Sequence, residues 1–128
     1  MKKKTRWKLV KDCDLRFSRY IRQKYANKEW QSVCYTCGDK YHYKDLQCGH
    51  FITRANYKYR RDEHNCRPQC YRCNIIFSWN YKVYTIKMIE EYWKEKIEYM
   101  INDKELVKIR TFEIEEMIEK YKNLVHDY

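Results

Sequence analysis

A chain of 128 residues with 44% apolar residues and a mean hydropathy of −1.02 has room for one domain and a modest core. It has no apolar run near the ~20 residues of a membrane span and no apolar N-terminal stretch of signal-peptide length, so the expectation is a soluble, cytoplasmic chain with no membrane partner. The charge of +10 is unevenly placed: residues 1–82 hold 20 Lys/Arg against 7 Asp/Glu (+13), while residues 83–128 hold 8 against 11 (−3). A basic body with an acidic tail points to a polyanionic partner, DNA or RNA.

Residues 1–30 read as a basic arm followed by a helix. MKKKTRWKLVK, with Trp7 alone among its lysines and arginines, is expected to be loosely held at its start. In DCDLRFSRYIRQKY, Phe17, Tyr20, Ile21 and the stem of Lys24 recur at helical spacing, and Asp12 or Asp14 is placed to cap the helix start. Arg16, Arg19 and Arg22 fall on another face, where they suit a phosphate backbone. Residues 31–82 read as loops and short strands. DLQCGHFI alternates and then turns apolar, as one strand of a small hairpin does. TRANYKYRRD (53–62) is a basic, tyrosine-rich loop, and a short helix starts inside the second CxxC.

Residues 83–128 form a helical segment. Ile86, Ile89, Trp93, Ile97 and Met100 step at helical intervals, which predicts one amphipathic helix that ends at Asn102-Asp103. A second helix follows Thr111, with acids in its first turn, lysines near its end and an apolar face of Ile114, Met117, Ile118, Tyr121 and Val125. The two are expected to pack as a hairpin or against the cysteine-rich body.

Seven cysteines without a secretory context argue against a disulfide framework. Cys34-x-x-Cys37 and Cys70-x-x-Cys73 share a spacing that brings paired thiolates to one side of a turn, and two such turns complete a tetrahedral structural Zn2+ site. That zinc pinches together the ends of the 38–69 insertion. Cys13 reads as a buried small residue. Cys48 and Cys66 read as ordinary thiols near the core, with a substitute knuckle ligand or a second metal site as the alternatives.

Zinc held by four thiolates has no open position, so any catalysis in this chain calls for a second, oxygen-loving divalent ion, Mg2+ or Mn2+. His50, at a strand end, suits a general base. Asn65 is placed to hold that imidazole or the strand end. Asn74, one step after the zinc-fixed Cys73, can offer an amide oxygen to the ion.

This series, His on a strand, Asn in the loop and Asn at a helix start within zinc knuckles, resembles the HNH (ββα-metal) nucleases in their His-Asn-Asn form. More closely, LQCGHFITR followed by RRDEHNCRPQCYRCN resembles the bacteriophage NinG/Rap recombination proteins, as do FSRYIR upstream and YTIKMIEEY downstream, over about residues 9–125. The resemblance implies a phage-encoded, structure-selective DNA endonuclease acting on Holliday junctions or D-loops. His50 would be its base, Asn65 the orienting partner and Asn74 a metal ligand. HNH enzymes usually place an aspartate before the histidine, where this chain has Gly49. The missing ligand is then expected from Glu63 or His64, with Asp45 next. In SWN, Trp79 stands where the family commonly has glycine.

The expectation is therefore a small α+β protein: a zinc-stapled, HNH-like core with an N-terminal basic helix and C-terminal helices. Arg54, Lys58, Arg60 and Arg61 are expected to touch phosphates without reading bases, and Tyr57 and Tyr59 to stack on unpaired ones. A symmetric junction also implies a homodimer. The competing expectations are a non-catalytic zinc-binding nucleic-acid module and an interaction protein built on the C-terminal helices.

Overall fold

A computed structural model describes residues 3–126. The first helix, α1, spans Arg6–Lys24 and presents Cys13, Phe17 and Ile21 to the interior at four-residue intervals. It starts six residues before Asp12. Nothing in TRWKLVK breaks a helix, and Arg6 ties the start down by donating to Thr111 Oγ1 (2.9 Å) and to the Ile109 carbonyl. The arm is thus helical from Arg6, and its expected loose start includes residues 1 and 2, which lie outside the described residues. Asp12 lies inside the helix, paired with Arg16 at 2.9 Å, instead of capping it.

Two small antiparallel sheets follow, which with the helices make the α+β class. Strands β1 (Gln31–Val33) and β2 (Lys40–His42) flank the first CxxC, with Gly38 in the left-handed region at φ +81°. Strands β3 (Gln47–His50) and β4 (Cys66–Gln69) pair with Gly49 opposite Arg67 and His50 opposite Cys66. The pleat therefore puts Cys48, His50 and Cys66 on one face and Gln47, Gly49, Arg67 and Gln69 on the other. The chain then makes one π-helical turn, Arg72–Ile76, closed by Phe77 N–H to the Arg72 carbonyl at 2.9 Å.

The C-terminal third departs from the single predicted helix. Helix α2 (Tyr81–Tyr92) and helix α3 (Lys94–Asn102) are separated at Trp93, whose φ of 63° and ψ of 162° interrupt the ladder. The buried stripe is Tyr84, Met88, Ile97 and Met100; Ile86 and Trp93 face solvent. These four pack with Phe51 and Tyr59 beneath the loop that follows β3. Helix α4 (Thr111–Leu124) starts as predicted, with the Glu113 carboxylate accepting from Arg110 N–H at 3.2 Å. It packs against α1 instead of against α2 and α3, joining Tyr121 to Phe17, Ile21 and Cys66. The Phe17 and Tyr121 rings meet edge-on at 5.2 Å. The β3–β4 pair thus has α1 and α4 on its Cys66 side, while Tyr84 of α2 donates to the Gly49 carbonyl at 2.9 Å. Among the described residues no helix is long and apolar enough to cross a membrane.

Candidate active site and zinc centre

Cys34, Cys37, Cys70 and Cys73 converge so that their four Sγ atoms lie within 4.8 Å of one another, a set that can bind zinc. Cys37 and Cys70 stand 3.9 Å apart, and Cys73 N–H reaches Cys70 Sγ at 3.5 Å. Burial opposes ionisation of Cys34, but hydrogen bonds from the Thr36 hydroxyl and from the backbone of Cys70, Cys37 and Thr36 outweigh it, bringing the thiol down to about 6. A thiolate is the form a metal requires. Gln69, fully buried, ties this centre to the following turn by donating to Thr36 Oγ1 (3.1 Å) and the Trp79 carbonyl (2.9 Å).

Next to the four-cysteine centre lies a cavity of about 710 Å³ whose lining includes Asp14, Gln47, Cys48, His50, Arg54 and Asn74. His50 Nε2 is 2.8 Å from the Arg60 carbonyl. A carbonyl only accepts, so the neutral ring carries its proton on Nε2 and its lone pair on Nδ1. Burial pushes the His50 imidazole below its ordinary value, against the opposing pull of the Arg60 carbonyl, which favours the neutral ring at neutral pH. Asn74 is held twice. Its N–H donates to the Cys70 carbonyl (2.9 Å) and its Nδ2 to Gln47 Oε1 (2.7 Å), which turns Oδ1 into the acceptor it has left to offer.

Asn65 does not touch the His50 ring. Fully buried, it accepts from Ile52 N–H at 2.7 Å and donates to the carbonyls of Ile52 (2.9 Å) and Tyr59 (3.0 Å). It therefore closes the 51–65 loop on itself and fixes the Tyr59–Arg60 backbone, whose carbonyl in turn holds His50.

Glu63 and His64 are placed elsewhere, and neither they nor Asp45 line the cavity. Glu63 accepts from Tyr20 Oη (3.0 Å) and Lys24 Nζ (3.2 Å). His64 lies against Lys96 Nζ (2.8 Å) and the Tyr92 ring. The carboxylate that does reach the cavity is Asp14, from the middle of α1. Three of the four basic loop residues have side chains engaged at this point: Arg54 (3.3 Å), Arg60 (2.6 Å) and Arg61 (2.8 Å) all bind Asp14. Burial works against that carboxylate, but the Arg60 hydrogen bond and the guanidinium charges outweigh it and hold Asp14 below the usual carboxylate range.

The remaining sequence-predicted contacts also have intramolecular roles. Lys58 binds Asp103 (2.6 Å) and Glu105 (2.7 Å). Arg22 donates to Ser18 and to the Tyr43 carbonyl, and Arg19, which is also engaged, lies exposed on α1. Tyr59 is buried with its hydroxyl on Asp103 at 2.6 Å, so of the two loop tyrosines only Tyr57 presents its ring to solvent. Trp79 lines the cavity from a run of three left-handed residues, Ser78 to Asn80, a backbone region that glycine enters without steric cost.

Sequence reasoning missed Arg67. Its side chain is 1% exposed, paired with Glu91 at 2.8 Å and surrounded by the rings of Tyr25, Tyr35 and Tyr92. It binds the Glu63 and Cys66 carbonyls as well, so it locks β4 to α2. The one available signal was an arginine in a strand of a tyrosine-rich chain, and no spacing rule reads its meeting with Tyr25, Tyr35 and Tyr92.

Comparison with curated proteins and with solved structures returns no match. The family model described as the bacteriophage lambda NinG protein matches residues 1–128. The chain therefore belongs to the NinG family.

Proposed function

We propose that this protein is a metal-dependent endonuclease of the HNH-like, ββα-metal type that cuts branched DNA such as Holliday junctions or D-loops. The observation that carries the reading is the meeting, in one cavity, of a histidine with a fixed tautomer and an asparagine with a directed amide oxygen. The elements that carry them, a strand pair followed by a helical turn, stand in the order that the ββα-metal resemblance requires.

In this reading water enters the cavity beside His50, and Nδ1 accepts its proton as it attacks phosphorus. The Arg60 carbonyl stabilises the imidazolium that forms, through Nε2–H. The oxygens that fit a hard cation are Asn74 Oδ1 and the Asp14 carboxylate, the acid that the cavity lining contains. Mg2+ or Mn2+ bound there would stabilise charge on the scissile phosphate and the leaving oxygen. The leaving 3′ oxygen gives 5′-phosphate ends. Arg54 and Arg60 are poised to exchange Asp14 for DNA phosphates, which would release the carboxylate to the ion as substrate arrives. Paired cuts on a two-fold junction call for two copies of the chain. The setting for such an activity is the host cell cytoplasm.

Two observations favour a non-catalytic DNA-binding module instead. Gly49 cannot take the usual aspartate, since a Cβ there would stand 1.9 Å from Gln69 Oε1, and Asp14 is already held by three arginines. The deciding experiment is cleavage of a labelled four-way junction beside matched linear duplex in Mg2+, Mn2+ or EDTA, with wild type and His50→Ala. The expected outcome is metal-dependent cutting of the junction that falls at least about 10²-fold in the variant while binding persists. Binding without cutting by both proteins would establish the module.

A further inference from the structure

A second set of ligating groups lies on the β3–β4 face turned toward α1. Cys48 and His50 are two residues apart on β3 and so share that face, and Cys66 stands opposite His50. The two Sγ atoms and a ring nitrogen of His50 all lie within 4.8 Å of one another, apart from the four-cysteine centre. We propose that Cys48, His50 and Cys66 form a second metal site for a thiophilic divalent ion, Zn2+ foremost, with its fourth position open to the cavity.

Three features support the assignment. Zinc bonds of about 2.3 Å to sulfur and 2.0–2.1 Å to nitrogen place tetrahedral donors roughly 3.5 Å apart. The observed limit of 4.8 Å is thus within a small side-chain adjustment of closure. The His50 Nε2–H is already given to the Arg60 carbonyl, which is the outer hydrogen bond that a metal-bound histidine commonly makes, so the ring would bind the ion through its unprotonated Nδ1. Finally, two thiolates balance a divalent charge, so the loaded cluster is neutral and can sit beside the fully buried Cys66. Loading displaces the two thiol protons to solvent and forms two sulfur–metal bonds and one nitrogen–metal bond. Soft donors select Zn2+, Cd2+ or Co2+ over Mg2+ and Mn2+.

The site uses the lone pair that the nuclease reading assigns to the base. A consequence, which alone rests on that reading, is that excess zinc inhibits Mg2+-supported cleavage.

The test is elemental analysis of the reduced full-length protein after zinc loading and desalting, with cobalt substitution as a second readout. Wild type is expected to retain two equivalents. Cys48→Ser, a substitution at the cavity wall, is expected to retain one and to lose about a third of the sulfur-to-cobalt absorption, as six thiolate ligands become four. Cys66→Ser should match it where it folds; Cys48→Ser carries the test alone otherwise. One equivalent in wild type, two in Cys48→Ser, or a Cys48–Cys66 disulfide in the native protein would each overturn the proposal. Metal counting needs no cleavage. Failure of protein carrying only the four-cysteine zinc to cut the junction in Mg2+ or Mn2+ refutes only the nuclease reading, and one zinc retained after loading by an active nuclease refutes only this site.

Discussion

Asn65 positions the site through the backbone: its three side-chain hydrogen bonds all go to main-chain groups of Ile52 and Tyr59. Its amide supplies one acceptor and two donors in the order those groups demand, and a carboxylate cannot. Asn65→Asp sets a second oxygen against the carbonyls of Ile52 and Tyr59. We expect it to cost about 3 kcal/mol or more in urea unfolding at neutral pH and to abolish junction cleavage even where the variant stays folded. An unchanged unfolding midpoint would refute the role. Gly49 is constrained by contact, for the Gln69 side chain crosses the space a Cβ would need, and Gln69 is anchored by Thr36 and Trp79. An aspartate at position 49 would therefore break the tie between β4 and the first CxxC turn before it could ligate anything.

Among the elements, the junction of α2 and α3 and the loop that leads to α4 show how tertiary contacts override local pattern. Trp93 adopts a φ, ψ pair otherwise nearly confined to glycine, at a cost of order 1–3 kcal/mol. The break swings α3 back so that Ile97 and Met100 cover Phe51 and Tyr59 beside Met88. Asp103, just past α3, then receives Lys58 Nζ at 2.6 Å and the Tyr59 hydroxyl at 2.6 Å, which fastens the basic loop to the helix end. The Lys58 hydrogen bond, followed by those of Tyr59 and Glu105, holds the Asp103 carboxyl down at about 2 against an ordinary 3.8. A carboxyl depressed in the folded state contributes stability above its unfolded value and loses it as pH falls through the folded one. Asp103→Asn is thus expected to be less stable than wild type at pH 7, with a shallower decline between about pH 4 and about pH 2. Parallel stability curves for the two proteins across that range would exclude the tie.

For the whole molecule, the four-cysteine centre draws β1, β4 and the π-helical turn to one point, and its buried cluster holds little besides the cysteines and Leu46. With zinc bound, such a cluster would draw its cohesion from the metal. Removing zinc with a chelator, or replacing Cys70 by Ser, is expected to release about one equivalent from this centre and to lose the tertiary signal of the 31–80 region. Helical ellipticity from α1 and α4, joined by the Phe17–Tyr121 contact, should fall less. Circular dichroism in the near and far ultraviolet with a zinc-sensitive dye checks this, and retention of both signals after full zinc release would contradict it. The basic field of residues 1–82 is more internally engaged than its composition suggests, since Arg54, Arg60 and Arg61 share one carboxylate. DNA binding would then be an exchange of partners, with its salt dependence set by how many of these pairs open.

Spacing alone determined the two CxxC turns, the face of α1 and the α4 helix, because each rests on contacts within a few residues or on identical ligand chemistry. The family, too, was legible in the GHF, EHN and PQCxxCN runs. Tertiary structure decided the rest. It broke the predicted helix at Trp93, turned Tyr59 and Arg67 inward, and sent α4 to α1. It also placed Asp14 at the cavity in place of Glu63 and His64. These outcomes depend on which surfaces meet across tens of residues, and a side chain's direction at such a meeting is set by its neighbours' packing and charge, which local periodicity does not encode.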